Sequence, residues 1–144
     1  MNVAVIGTGY VGLVSGTCFA EMGVQVTCVD NNPEKLAKLK NAEVTIYEPG
    51  LEVVFYRNIA KKRLIFTGDL QEAVLNNDVI FLCLPTPMGG DGSADLKYVM
   101  GVADEIGKIL KENNNNEYKI IVNKSTVPVG TAQKVKHEIS KHGV

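Results

Sequence analysis

Three glycines spaced G-x-G-x-x-G, at Gly7, Gly9 and Gly12, constrain the folding of this 144-residue chain more than any other feature. They directly follow the apolar run at 3–6 and open a segment, 10–22, that has the pattern of a helix. Glycines between a strand and a helix allow a tight turn and let the helix pack close to the sheet. The motif therefore predicts a strand, a tight turn and a helix, the start of a βαβ unit.

Strand and helix patterns alternate along the rest of the chain. Strands are predicted at 3–6, 24–29, 64–67, 79–84 and 119–122. Helices are predicted at 10–22, 33–40, 49–62, 70–75, 96–112 and 131–141. Such alternation favours right-handed βαβ units and a mainly parallel sheet covered by helices on both faces. We therefore predict an α/β, doubly wound fold of the Rossmann type, a single domain over residues 1–144, in which every strand except 64–67 is interior.

Composition excludes several classes of function. The 15 Lys and Arg nearly balance the 16 Asp and Glu, so we expect no nucleic-acid partner. No apolar run is long enough to span a membrane and no basic segment precedes an apolar one, so we expect no membrane partner and a cytoplasmic location. Cys18, Cys28 and Cys83 lie in apolar runs without a C-x-x-C pair, which predicts buried reduced thiols and no metal site.

Asp30 gives the glycine motif a specific chemical interpretation. Gly9 has no side chain to block a pyrophosphate, and the N-terminus of the following helix offers N–H groups to the phosphates. Asp30 ends the second predicted strand, where its carboxylate can accept both hydroxyls of an adenosine ribose and repel a 2′-phosphate. We therefore predict NAD rather than NADP as the cofactor. The alternative is a glycine-rich turn followed by an ordinary Asp at a strand end.

Residues in other loops at the same end of the predicted sheet are candidate ligands of this cofactor. Lys35 can border the adenosine ribose or be a solvated surface lysine. Thr86 lies between Pro85 and Pro87. It can contact the cofactor or belong to a structural turn. Ser125 and Thr126 follow the last strand, where a nicotinamide is expected, but they can also cap the next helix.

Five motifs in order, GTGYVGL, VDNNPEKL, YEPGL, PTP and KSTVPVGT, cover nearly the whole chain. Together they resemble the nucleotide-sugar dehydrogenase family, most closely the N-terminal NAD-binding domain of its UDP-glucose 6-dehydrogenase branch. The resemblance implies an NAD-dependent oxidoreductase of UDP-glucuronate biosynthesis. Such enzymes oxidise the sugar C6 alcohol to a carboxylate in two NAD-linked hydride transfers, with a thioester on a cysteine between them.

The resemblance also assigns residues. It implies a catalytic role for Thr126, which resembles the family threonine that helps to place a water. It implies that the cofactor is bound by Gly7, Thr8, Gly9, Tyr10, Val11, Gly12, Asp30, Lys35, Pro85, Thr86 and Ser125.

Several parts of such an enzyme have no counterpart among the motifs of this chain. In the family, the nucleophilic cysteine, the catalytic lysine and most sugar-binding residues follow in later segments, after a central helix that usually forms a homodimer. None of the three cysteines here matches the nucleophile. We therefore expect a piece of a longer, dimeric enzyme for UDP-glucose, one that binds NAD without turnover.

The sequence is also compatible with two other functions, to different degrees. A dehydrogenase for another nucleotide sugar, GDP-mannose or a UDP-N-acetylhexosamine, shares the motifs, since the sugar is selected mostly downstream. A nucleotide-sensing regulatory module, like the NAD-binding domains of potassium transporters, would explain the glycines and Asp30. It would not explain PTP or KSTVPVGT.

Overall fold

A computed structural model describes all residues of the chain, 1–144. The strands are β1 (Asn2–Ile6), β2 (Gln25–Val29), β3 (Leu64–Thr67), β4 (Val79–Leu82) and β5 (Ile120–Asn123). The helices are α1 (Tyr10–Glu21), α2 (Pro33–Lys40), α3 (Leu51–Ala60), α4 (Leu70–Asn76), α5 (Lys97–Glu112) and α6 (Thr131–Ser140). None of the six helices combines the length and the apolar character needed to cross a membrane.

The five strands form one parallel sheet in the order β3-β2-β1-β4-β5. The chain builds outward from β1 in one direction and then restarts on the other side of β1 with β4. In register, Ile6 at the end of β1 lies beside Val29 of β2 and Leu82 of β4. The carboxyl ends of the strands therefore meet at one edge, and the strand order reverses there, as in ligand-binding open α/β sheets.

Side chains of β1 alternate between two apolar cores, one on each face of the sheet. Val3 and Val5 pack in a core that includes residues of α1, α2 and α3, such as Phe55. Ala4 and Ile6 pack in the opposite core with residues of α4, α5 and α6. Helices cover both faces, which confirms the predicted doubly wound α/β fold.

Nine of the eleven predicted elements differ from the observed ones by one or two residues at one or both ends. Three of these differences have a local reason. The strand predicted to 84 ends at Leu82 because the Leu84 N–H donates to the Ser125 hydroxyl (2.8 Å) rather than to a strand. The helix predicted from 49 begins at Leu51 because Gly50, its N-cap, has a left-handed φ of 82°. The last strand begins at Ile120, where the Ile120 N–H donates to Asp78 O.

Two further expectations are corrected by burial. β5, predicted to be interior, is hydrogen-bonded only to β4, and Ile120 is 45% exposed, so β5 is an edge strand. Cys28 and Cys83 are buried as predicted, but Cys18 lies on the exposed side of α1. An apolar run does not reveal which face of a helix one residue occupies, and this explains the error at Cys18.

Candidate functional site

A cavity of about 1050 Å³ lies at the carboxyl ends of the strands. The loops that follow β1, β2, β4 and β5 line it and bring together every predicted site residue except Gly12. These lining residues are Gly7, Thr8, Gly9, Tyr10, Val11, Asp30, Lys35, Pro85, Thr86, Ser125 and Thr126. Residues far apart in sequence thus meet at the edge of the sheet where ligands bind in this architecture.

At two positions of the glycine turn between β1 and α1, Gly7 and Gly12, a side chain would collide with the backbone. Gly7 has a φ of +104°, and a Cβ there would lie 2.2 Å from the carbonyl oxygen of Cys83. A Cβ on Gly12 would lie 1.9 Å from the carbonyl oxygen of Gly7, so α1 can approach the turn only because residue 12 is glycine. Gly12 does not line the cavity, but it allows α1 to pack against the turn that does.

Gly9 has the opposite surroundings. A Cβ on Gly9 would meet no atom within 4 Å, and the residue is exposed on the cavity wall. Gly9 is the N-cap of α1, makes no side-chain cap, and no acidic residue occupies the first turn. The first-turn N–H groups have no partner within the helix, so this end of α1 can accept an anion such as a diphosphate.

Asp30 places a fixed carboxylate on the same cavity. The residue is 9% exposed, and its Oδ2 accepts from the Thr8 N–H (3.2 Å) and the Thr8 hydroxyl (2.5 Å). Its Oδ1 accepts from the Asn32 N–H at 2.9 Å, and Lys35 Nζ lies 3.6 Å from Oδ2. Burial alone would raise the pKa of Asp30, but the Thr8 and Asn32 hydrogen bonds and Lys35 outweigh it and lower the pKa. Asp30 is therefore an ionised acceptor near neutral pH.

Lys35 is positioned by the first turn of α2. Asn32 caps this helix, and its side-chain oxygen accepts from the N–H groups of Glu34 and Lys35. The cap fixes the backbone of Lys35 so that its ammonium reaches the Asp30 carboxylate. Lys35 is accordingly an ion-pair partner on the cavity wall rather than only a solvated surface lysine.

Two hydroxyls join the loops after β4 and β5. Ser125 Oγ accepts from the Leu84 N–H (2.8 Å) and donates to Leu82 O (3.0 Å). Thr86 Oγ1 donates to the carbonyl oxygen of Thr126 at 2.8 Å. Neither Ser125 nor Thr126 caps the next helix, because α6 begins after Gly130 without a side-chain cap. The two loops therefore form one connected wall, on which the exposed Thr126 lies.

We expect Ser125→Ala to lower the free energy of unfolding by about 1–3 kcal/mol, because the Leu84 N–H, in a part-buried bond, loses its acceptor. Urea denaturation of the variant and the parent chain measures the change. Ser140→Ala, at the exposed end of α6, is the matched control and should change the value by less than about 0.5 kcal/mol. Equal stability of the two variants would show that the Ser125 bridge contributes nothing.

Cys83 also lines the cavity, but its thiol is unsuited to nucleophilic attack. Burial raises the pKa of Cys83 to about 11, an effect that the nearby Lys124 only partly offsets. The thiol is therefore protonated at neutral pH, whereas the nucleophilic form of cysteine is the thiolate. No group of three or more His, Cys, Asp or Glu side chains could hold a metal ion.

One part of the cavity wall was not foreseen from the sequence. It comes from the loop after β3, the first residue of α4 and the N-terminal part of α5, and comprises Gly68, Leu70, Lys97, Tyr98, Gly101, Val102 and Glu105. Gly68 directly follows a strand, so the rule that ligands bind at carboxyl ends would have indicated it. The α5 residues carry no comparable signal, since only tertiary packing brings this helix to the cavity.

A second cavity, of about 830 Å³, lies between the open edge of β5 and α6. Its walls include Ile121, Val135 and Ile139. It shares no lining residue with the first cavity and contains none of the predicted site residues. The features that suit a dinucleotide, which are unpaired helix N–H groups, an unobstructed glycine and a fixed carboxylate, coincide only in the first cavity.

Comparison with known proteins finds matches along the whole chain. Residues 1–144 match the family model described as the UDP-glucose/GDP-mannose dehydrogenase family, NAD binding domain. UDP-glucose 6-dehydrogenase TuaD of Bacillus subtilis is 50% identical over 140 residues, which are 97% of this chain and 29% of that protein. This chain thus spans less than a third of that relative's length.

Solved structures of two dehydrogenases share this fold over nearly the whole chain. A UDP-glucose dehydrogenase from Pyrobaculum islandicum superposes with a TM-score of 0.91 at 37% identity, over 98% of this chain and 32% of that one. A GDP-mannose dehydrogenase from Pseudomonas aeruginosa superposes with a TM-score of 0.92 at 35% identity, over 99% of this chain and 32% of that one.

Proposed function

Because this chain belongs to the UDP-glucose/GDP-mannose dehydrogenase family, matching its NAD-binding domain, we propose that it is the cofactor-binding part of a UDP-glucose 6-dehydrogenase. The reaction would be oxidation of the sugar C6 alcohol to a carboxylate with two NAD. The observation that carries the proposal is the cavity in which the glycine turn, the start of α1 and the Asp30 carboxylate meet. The 50% identity to a UDP-glucose 6-dehydrogenase supports the choice of sugar.

The residues present fit NAD. The N–H groups at the start of α1 would bind its diphosphate above Gly9, and Asp30 with Lys35 would hold the adenosine ribose. Pro85, Thr86 and Ser125 form the wall along which the rest of the cofactor would lie, with Thr126 exposed there to orient a water. When bound, NAD⁺ supplies a hydride acceptor.

We propose that the rest of the chemistry comes from other segments of a longer protein, since this chain spans less than a third of the length of its relative TuaD. With the pKa of Cys83 raised and Cys28 fully buried, neither thiol suits the nucleophile that the resemblance implies. Cys18 is exposed, but it lies on α1 outside the cavity lining. We therefore propose that this 144-residue chain binds NAD without oxidising a sugar, and that the longer protein is a cytoplasmic homodimer.

The test is calorimetric titration of the chain with NAD⁺ and NADP⁺, beside Asp30→Ala. We expect NAD⁺ to bind preferentially, and Asp30→Ala to weaken NAD⁺ about tenfold and remove the preference, because charge-assisted hydrogen bonds to the ribose contribute about 1.5–3 kcal/mol. The matched control is Asp91→Ala, an exposed carboxylate that accepts from the Ser93 N–H and hydroxyl away from the cavity. Equal binding of both nucleotides by the parent chain, or NAD⁺ reduction by this chain with UDP-glucose, would contradict the proposal.

GDP-mannose is the second candidate substrate, because the superposition on a GDP-mannose dehydrogenase is as close as that on a UDP-glucose dehydrogenase. The first cavity would bind the cofactor in either case. Assays of a longer protein containing this chain with UDP-glucose and with GDP-mannose separate the two.

A further inference from the structure

Thr8 lies between the first two glycines of the turn, and its side chain is hydrogen-bonded to Asp30. The residue is 1% exposed. Both its N–H and its hydroxyl donate to the same carboxylate oxygen, Oδ2 of Asp30, at 3.2 and 2.5 Å. The turn that would bind the diphosphate and the carboxylate that would bind the ribose are thus joined through one side chain.

The hydrogen bonds of Asp30 leave it little freedom. A carboxylate has about four acceptor positions, two on each oxygen. Thr8 fills both positions on Oδ2, and the Asn32 N–H fills one on Oδ1. The remaining position is on Oδ1, so a ribose hydroxyl would find one acceptor in a fixed orientation. A second hydroxyl would have to compete with Thr8.

We propose that Thr8 is a positioning residue that selects NAD over NADP by fixing the Asp30 carboxylate. This inference rests on the proposed function and adds a specificity role for a side chain that does not itself need to touch the ribose. The hydroxyl holds the carboxylate with one oxygen ready for a ribose hydroxyl and its negative charge facing any 2′-phosphate. The lowered pKa of Asp30 agrees with this, since the Thr8 hydroxyl is the largest of the causes that lower it.

The direct test is Thr8→Val, which keeps the branched shape and removes the hydroxyl. We expect NAD⁺ to bind about fivefold to tenfold more weakly, with NADP⁺ little changed, so the preference for NAD⁺ falls by the same factor. Thr8→Ser keeps a hydroxyl and should retain both affinity and preference. If Thr8→Val does not fold, as judged by thermal melting, Thr8→Ala replaces it in the same comparison.

Thr17→Val is the matched control. Thr17 is also fully buried, on α1, but its hydroxyl has no hydrogen-bond partner. Its replacement removes a buried threonine hydroxyl without touching Asp30, so NAD⁺ and NADP⁺ binding should equal those of the parent chain.

A double-mutant cycle separates action through Asp30 from direct contact with the cofactor. In an Asp30→Ala background, Thr8→Val should weaken NAD⁺ by less than about twofold, because no carboxylate remains to be positioned. A second readout is pH. Loss of the hydroxyl removes a cause that lowers the Asp30 pKa, so NAD⁺ binding by Thr8→Val should decline at a higher pH on acidification than in the parent.

Three results would overturn the inference. They are an unchanged preference in Thr8→Val, a loss of preference in Thr8→Ser, and an equal Thr8→Val effect with and without Asp30. Each presupposes that the parent chain binds NAD⁺. Absence of NAD⁺ binding by the parent would instead count against the proposed function, so the two failures are distinguishable.

Discussion

Gly9→Ala is expected to leave the fold intact and to weaken NAD⁺ binding by about 100-fold, or about 2.7 kcal/mol. Gly9 has φ −71° and ψ −165°, which alanine adopts readily, and the added methyl meets no protein atom within 4 Å. The methyl would instead occupy the position through which a diphosphate must approach the start of α1. Calorimetry with NAD⁺ measures the loss, and urea denaturation should show a change no larger than about 1 kcal/mol.

Gly90→Ala is the control for this experiment. Gly90 has no atom within 4 Å of an added Cβ and lies in the loop before α5, outside the cavity lining. Its replacement adds the same methyl group without blocking the start of α1. NAD⁺ binding by Gly9→Ala that matches binding by Gly90→Ala would refute the assignment of Gly9 to the diphosphate.

Gly12→Ala should have the largest effect on stability. The added Cβ would lie 1.9 Å from the Gly7 carbonyl oxygen and 3.2 Å from Cys83 Cβ, so backbone rather than a flexible side chain must move. Forced displacement in a packed region costs about 3 kcal/mol. We expect the free energy of unfolding to fall by about that amount in urea denaturation. NAD⁺ binding should also be lost, because α1 no longer approaches the turn.

The pair of variants distinguishes two roles within one motif. Gly9→Ala should lose binding while keeping stability, and Gly12→Ala should lose both. Stability of Gly12→Ala within about 0.5 kcal/mol of Gly90→Ala would show that the close approach at Gly12 is not required.

The features of the fold and the site that sequence alone predicted depend on local chemistry. The turn at Gly7 requires a positive φ, and the helix at Gly12 requires the absence of a side chain. Glycines at this spacing therefore indicate the backbone geometry of the turn. The fold followed from the alternation of strand and helix patterns. Asp30 was predictable because the end of β2 lies beside the end of β1 in any fold of this type.

The remaining parts depend on tertiary packing. Residue type does not reveal that the Thr8 hydroxyl bonds to Asp30, or that Ser125 bridges Leu82 and Leu84 rather than capping a helix. The α5 wall of the cavity and the edge position of β5 also depend on which elements become neighbours. Short apolar strands look alike in sequence whether they are interior or at an edge.

An NMR titration of the ¹⁵N-labelled chain with NAD⁺ tests whether the glycine turn and Asp30 together form an NAD site. We expect saturable shifts of the backbone amides at Gly7, Gly9 and Val11 and around Asp30, with little change at Ile121 and Val135 in the second cavity. Shifts confined to that second cavity, or no saturable shifts at all, would contradict this assignment.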